Sequence, residues 1–321
     1  MSARARMAAA LALVAGLAAA SLFVGVSDVS LSGILQGQDR DWLVLVESRI
    51  PRMLALVLSG ASMAIAGLLT QIVIRNRFVE PGNTGTMESA GLGLLVMTLV
   101  APGAPVIVKM GVGALFALAG TGLFLAILRR VPLRDPMLVP LIGILLSGVI
   151  YAGSAFLAYR FDVLQGLLAW TQGDLSGVLR GRYELLWLGA VVAGLAWFAA
   201  DRFTVAGLGR DIASSLGLAH GRVVALGLTV VALVTAVVVV SVGRIPFLGL
   251  IVPNIVSLAL GDNMRRAVPW VAVSGAGLVL ACDILGRVIR APYEIPVGTV
   301  MGLIGSAIFL VLIVRGGRRA A

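Results

Sequence analysis

Ten apolar runs divide this chain, at residues 7–26, 53–72, 86–101, 111–128, 138–158, 184–200, 222–242, 247–260, 268–286 and 296–314. A helix needs about 20 apolar residues to cross the hydrocarbon, and in lipid its backbone groups must be satisfied inside the segment. An all-α polytopic membrane protein with about ten transmembrane helices is therefore expected, forming one domain over residues 1–321. Composition agrees, since 60% of residues are hydrophobic and 12% charged, where soluble domains carry about 25% charged. The 40 glycines favour a tight bundle, because small residues let helices approach closely where no hydrophobic drive brings them together. The runs at 86–101 and 247–260 are short or interrupted by Gly and Pro. Such breaks are tolerated where backbone is buried in protein or lines a cavity, so these two runs are pathway candidates. The first run follows Arg4 and Arg6 and exceeds the roughly 7–15 apolar residues of a secretory signal, so a retained helix is expected rather than a cleaved one.

The net charge of +10 comes almost wholly from arginine, 24 of the 25 basic residues. These lie between apolar runs and not in one patch, which is a topology signal and not a nucleic-acid surface. With both termini cytoplasmic, about 15 arginines fall inside against about 10 basic residues outside. Arg49, Arg52, Arg287 and Arg290 lie at outer span ends, against that bias. Cys282 is the only cysteine, which excludes an intrachain disulfide and leaves no zinc cluster. The chain has one histidine, His220, and one lysine, Lys109, which follows no glycine-rich phosphate loop. A Walker A site is thereby excluded, and no catalytic or metal constellation is visible; a non-enzymatic role is expected.

Four ordered motifs span most of the chain. The first runs from Arg49-Ile50-Pro51-Arg52 through Ser59-Gly60-Ala61 and Gly67-Leu68-Leu69-Thr70-Gln71 to Arg75-Asn76-Arg77-Phe78-Val79-Glu80-Pro81-Gly82. The second is Leu208-Gly209-Arg210-Asp211-Ile212-Ala213-Ser214-Ser215-Leu216-Gly217, and the third Phe247-Leu248-Gly249-Leu250-Ile251-Val252-Pro253-Asn254. The fourth joins Ala281-Cys282-Asp283 and Arg287 to Ala291-Pro292-Tyr293-Glu294-Ile295-Pro296-Val297-Gly298. Together they resemble the permeases of iron-siderophore and vitamin B12 ABC importers. The resemblance implies a vitamin B12 permease-like, type II ABC importer bundle in the bacterial cytoplasmic membrane. Its expected partners are a second permease subunit, two ATPases that carry the ATP and Mg, and an external substrate-binding protein or lipoprotein; this chain would bind no cofactor itself. The stretch Gly82-Asn83-Thr84-Gly85-Thr86-Met87-Glu88-Ser89-Ala90 is similar to the catecholate and mixed-siderophore branch, such as petrobactin and vibriobactin permeases. A ferric-siderophore substrate and a paralogous heterodimer are implied, with a homodimer as the alternative.

Site expectations follow from the same motifs. In the family, arginines matching Arg49, Arg52 and Arg287 receive glutamates of the binding protein, and Arg290 lies beside them; guanidinium pairs carboxylate in a fork that lysine cannot copy. Snorkelling to headgroups is the alternative. Asp283, four residues before Arg287, reads as a structural partner for it on one helix face, in preference to a proton relay. The loop at about 203–221 resembles the cytoplasmic coupling loop, with Gly207, Leu208, Gly209, Asp211, Ile212, Ala213, Leu216 and Gly217 as contact residues. Its apolar positions are spaced for a short helix that lies in a partner's groove, or for an ordinary interfacial helix. Arg210 stands where relatives often carry glutamate. Asn76, Phe78, Asp135 and Pro136 match the cytoplasmic gate, with Arg77 in place of the usual proline. Met87, Glu88, Ser147 and Tyr151 are candidate pathway lining; Tyr159, Gln165, Trp170 and Gln172 are either cavity or aromatic-belt residues. Two rivals remain: a stand-alone secondary transporter, hinted at by the repeated Arg-Ile-Pro at residues 49 and 244, and the same ABC fold importing heme or vitamin B12.

Overall fold

The computed structural model describes residues 2–25, 33, 36–37, 39–128, 130–131, 138–166, 172–261 and 263–320. Among these residues all regular structure is helical. In chain order the helices are α1 (Ala3–Phe23), α2 (Asp39–Ile74, with a π-helical segment at Leu45–Arg49), α3 (Thr86–Val100), α4 (Val106–Leu128), α5 (Leu138–Arg160) and α6 (Leu185–Phe198). They continue as α7 (Ala200–Gly207), α8 (Arg210–Ser215), α9 (His220–Val242), α10 (Leu248–Leu260), α11 (Met264–Val288) and α12 (Val297–Ala320). Each of the ten apolar runs is matched by a helix. Six of them, α1, α2, α4, α5, α9 and α11, are long and apolar enough to cross a membrane. Helices α6 and α7 form a pair bent by 67°, and α3, α10 and the first part of α12 are shorter apolar helices.

Helix α2 is the hub, with α1, α6, α9, α10 and α11 packed around it. The core it organises includes Leu56, Met63, Leu69, Val234, Leu248, Val271 and Leu280. Two glycine crossings set the spacing. A Cβ built on Gly60 would lie 2.7 Å from the Gly275 carbonyl of α11, and one on Gly67 would lie 2.1 Å from the Gly249 carbonyl of α10. Both obstacles are backbone, so the expected tight bundle rests on the absence of side chains at these two positions.

Pro140 sits in the first turn of α5, and three further prolines, Pro51, Pro253 and Pro269, lie within α2, α10 and α11. Each of these three lacks the N–H that would serve the carbonyl four residues earlier, and inside a bilayer an unserved carbonyl is costly. A distant donor takes up each one. Arg180 N–H donates to the Glu47 carbonyl at 3.1 Å, Gln71 Nε2 donates to the Gly249 carbonyl at 3.2 Å, and Trp197 Nε1 donates to the Arg265 carbonyl at 3.1 Å.

Candidate functional site

The features that bear on function fall at the two ends of α2 and beside the start of α3. At the Arg49 end, α2 and α11 bring together a buried ionic cluster. Arg52 donates from Nε and Nη2 to Asp283 Oδ1 at 3.2 and 2.8 Å, and from Nη1 to Glu294 at 2.6 Å. Asp283 Oδ2 pairs with Arg287, one turn further along α11. Arg287 also donates to the Ser21 hydroxyl at 2.6 Å and the Ser21 carbonyl at 3.0 Å, and Arg49 donates to the Val24 carbonyl at 2.8 Å. The end of α1 is thus held by two arginines.

The four arginines expected at the outer mouth differ in exposure. Arg49, Arg52 and Arg287 are 6%, 8% and 4% exposed, with their guanidinium groups engaged inside the molecule. Arg290 is the exposed member, and its guanidinium lies 5.8 Å from the Tyr293 ring centre. The expected Asp283–Arg287 pair forms, but Asp283 is shared with Arg52. Glu294 was part of a motif without an assigned role; no local pattern links it to Arg52, 242 positions away.

At the opposite end of α2 the chain reverses at Arg75, which adopts φ 57°. Its guanidinium rests against Gly209, where a Cβ would lie 2.9 Å from Nη1 and where φ is +111°. Glycine answers both demands at once. Helix α8 starts there and is shorter than the whole Gly207–Gly217 stretch, since Gly207 closes α7 and Gly217, at φ +77°, follows the last turn. Ala213 is fully buried and anchors α8, whereas Leu208, Ile212 and Leu216 are 51%, 51% and 66% exposed. The apolar stripe is therefore presented outward. Asp211 is exposed beside it.

Between the end of α2 and the end of α7 lies a cavity of about 320 Å³ whose lining includes Gln71, Arg75, Asn76, Arg77, Gly207 and Leu208. It brings Gly207 and Leu208 of the expected coupling loop to one wall with Asn76 of the expected gate. Asn76 is buried and accepts the Phe78 N–H on its side chain at 2.8 Å. Asn254 Nδ2 donates to the Arg77 carbonyl at 2.9 Å, tying this turn to α10. Phe78 packs edge-on against Phe309 at 6.2 Å, and Phe309 lies 6.4 Å from Phe247. Asp135 and Pro136 lie outside the described residues, as does Trp170.

A second cavity, about 270 Å³, lies where α3, α5 and the turn after α9 meet. Glu88, Ser147 and Tyr151 line it as expected, together with Arg244. Met87 does not; it is 5% exposed and packed in the core, because one residue on a helix turns the side chain by about 100°. Arg244 Nη1 lies 3.6 Å from Glu88 Oε1. Tyr159, Gln165 and Gln172 are exposed.

Comparison with known proteins places this geometry in a wider group. The model of the FecCD transport family matches residues 11–315. The petrobactin import system permease protein YclN of Bacillus subtilis is 44% identical over 299 residues, covering 93% of this chain and 95% of that protein. The ferric-anguibactin transport system permease protein FatD of Vibrio anguillarum is 39% identical over 302 residues, covering 94% and 96%. Among solved structures, an inward-facing conformation of a metal-chelate type ABC transporter superposes with a TM-score of 0.84 at 23% identity, covering 97% of this chain and 99% of that one.

Proposed function

Because the chain belongs to the FecCD transport family, we propose that it is the membrane-embedded permease subunit of an ABC importer for ferric-siderophore complexes. ATP is hydrolysed by a separate ATPase subunit. The observation that carries this reading is α8 with its flanks, anchored by buried Ala213, where Leu208, Ile212 and Leu216 are turned outward and Leu208 borders the cavity that Asn76 also lines. A carrier working alone has no use for such a stripe, whereas an importer driven from below needs an apolar ridge for a groove on its ATPase. Similarity to petrobactin and anguibactin permeases supports a siderophore as substrate over heme or vitamin B12. In this reading the Arg75 end is cytoplasmic, both termini lie there, and the Arg49 end faces the substrate-binding protein. Arg290 meets that protein, while Arg49, Arg52 and Arg287 hold the shape of the mouth. A paralogous second permease and two ATPases complete the assembly.

Co-expression with the neighbouring permease, ATPase and binding-protein genes, followed by reconstitution in nanodiscs, tests this. A ferric catecholate or mixed chelate on its binding protein should stimulate ATP hydrolysis. Ile212→Asp with Leu216→Asp should abolish both ATPase co-purification and stimulation without lowering the melting temperature of the permease, since both side chains are exposed. Retention of the ATPase by that variant would overturn the role of α8.

A further inference from the structure

The cavity beside α3 has more polar character than packing explains. Glu88 Oε2, Ser147 Oγ and Arg244 Nε are each enclosed without a hydrogen-bond partner, and they come from three separate elements that converge on one space. The Glu88 side chain is only 9% exposed. Unsatisfied polar atoms are expensive at membrane depth and rare in folded proteins, so three around one cavity point to a polar occupant.

The arrangement also selects its sign. The Arg244–Glu88 separation of 3.6 Å is beyond a normal N–H···O distance of about 2.7–3.2 Å, so the pair leaves guanidinium donors open; the Arg244 side chain is 40% exposed. Glu88 lies in the first turn of α3, where the positive end of the helix dipole offsets part of its charge. Ser147 and Tyr151, four apart on one face of α5, add two hydroxyls to the wall. Gly148 keeps the α5 wall low, since a Cβ there would meet nothing within 4 Å. Glu80 lies just behind the Gly82 part of the wall, where its buried carboxylate accepts the Phe247 backbone N–H and is a second negative neighbour of Arg244.

We propose that this cavity is a subsite of the translocation path that takes an anionic oxygen face of the chelate, carboxylate or phenolate, on the Arg244 guanidinium. Glu88 acts as the internal counter-ion that orients Arg244 when no chelate is bound, and its open oxygen accepts a hydroxyl or amide hydrogen from the passing ligand. The planar fork of arginine suits two neighbouring oxygens of such a face. This deepens the permease reading and rests on it for the identity of the ligand.

The test uses the assembled importer in nanodiscs, with Tyr151→Cys, at the 41% exposed wall position of the cavity, in a Cys282→Ala background. Two water-soluble methanethiosulfonates are compared, one bearing a sulfonate and one a quaternary ammonium, each normalised to its rate with a small free thiol. The sulfonate reagent should react about tenfold faster, the ratio that one pair interaction of about 1.4 kcal/mol provides, and Arg244→Gln should remove the preference. A cysteine unreactive to both reagents, equal rates, faster reaction with the ammonium reagent, or a preference that survives Arg244→Gln would each overturn the subsite. In parallel, uptake of a ferric tris-catecholate should fall about tenfold in Arg244→Gln, with partial recovery in Arg244→Lys; uptake within twofold of wild type would also overturn it. If the wild-type complex imports no ferric chelate, the permease reading fails, and the labelling ratio still decides whether the cavity selects an anion.

Discussion

Replacing Asp283 by asparagine isolates the structural part played by the buried arginines. Asp283 Oδ1 receives two N–H bonds from Arg52 and its Oδ2 faces Arg287, with the carboxylate 2% exposed. The cluster holds three arginines against two carboxylates, Asp283 and Glu294. In Asp283→Asn three positive charges share Glu294 alone, and an amide N–H₂ is turned toward one guanidinium. Removing one partner of a buried pair costs about 3–5 kcal/mol; because asparagine keeps one carbonyl for Arg52, the lower figure of about 3 kcal/mol applies. At about 2–4 °C per kcal/mol for chains of a few hundred residues, the melting temperature should fall by about 6–12 °C. Cys282, buried and the only cysteine, is adjacent, so a thiol-reactive dye reports the opening of this very region in purified permease, with no partner present. Adding Arg287→Met, which removes the cation left over, should restore part of the loss. Melting within about 2 °C of wild type, with weakened binding-protein docking, would refute the structural role and return these arginines to the docking surface.

Two further outcomes follow from the packing of α2. Gly67→Ala places a methyl group 2.1 Å from the Gly249 carbonyl, so α2 and α10 must separate; overpacking of this kind costs about 1–3 kcal/mol or more, and thermal melting in detergent should show it. Gln71→Leu leaves the Gly249 carbonyl without a donor, at about 1–3 kcal/mol, while the Leu250 carbonyl keeps Asn254 Nδ2 at 2.7 Å; the same melting assay should register a smaller loss than for Gly67→Ala.

The bundle was legible because hydrophobicity is local: each apolar run maps onto one helix, and the short runs at 86–101 and 247–260 became α3 and the proline-bearing α10. The outward stripe of α8 was legible for the same reason, since glycines bound it and its apolar spacing is helical. What could not be read was tertiary. The i, i+4 spacing of Asp283 and Arg287 announced a pair, but nothing announced Arg52 as the second partner across 231 positions. Arginine at a span end looks the same in sequence whether it reaches for water or turns inward, which is why three buried arginines were expected at the surface. Arg244 was visible only as part of a repeated triplet; its meeting with Glu88 depends on the turn between α9 and α10.

The three proline sites have a consequence for inheritance. Glu47 with Arg180, Gly249 with Gln71, and Arg265 with Trp197 bind a break in one segment to a donor in another, so neither half of any couple is neutral on its own where the donor is a side chain. Losing the proline restores the helix's own bond and leaves Gln71 or the Trp197 indole in competition for a carbonyl already served; losing the donor exposes the break. Chimeras between paralogous permeases should therefore tolerate exchange of residues 248–260 only when position 71 travels with them, and exchange of residues 264–288 only when position 197 does.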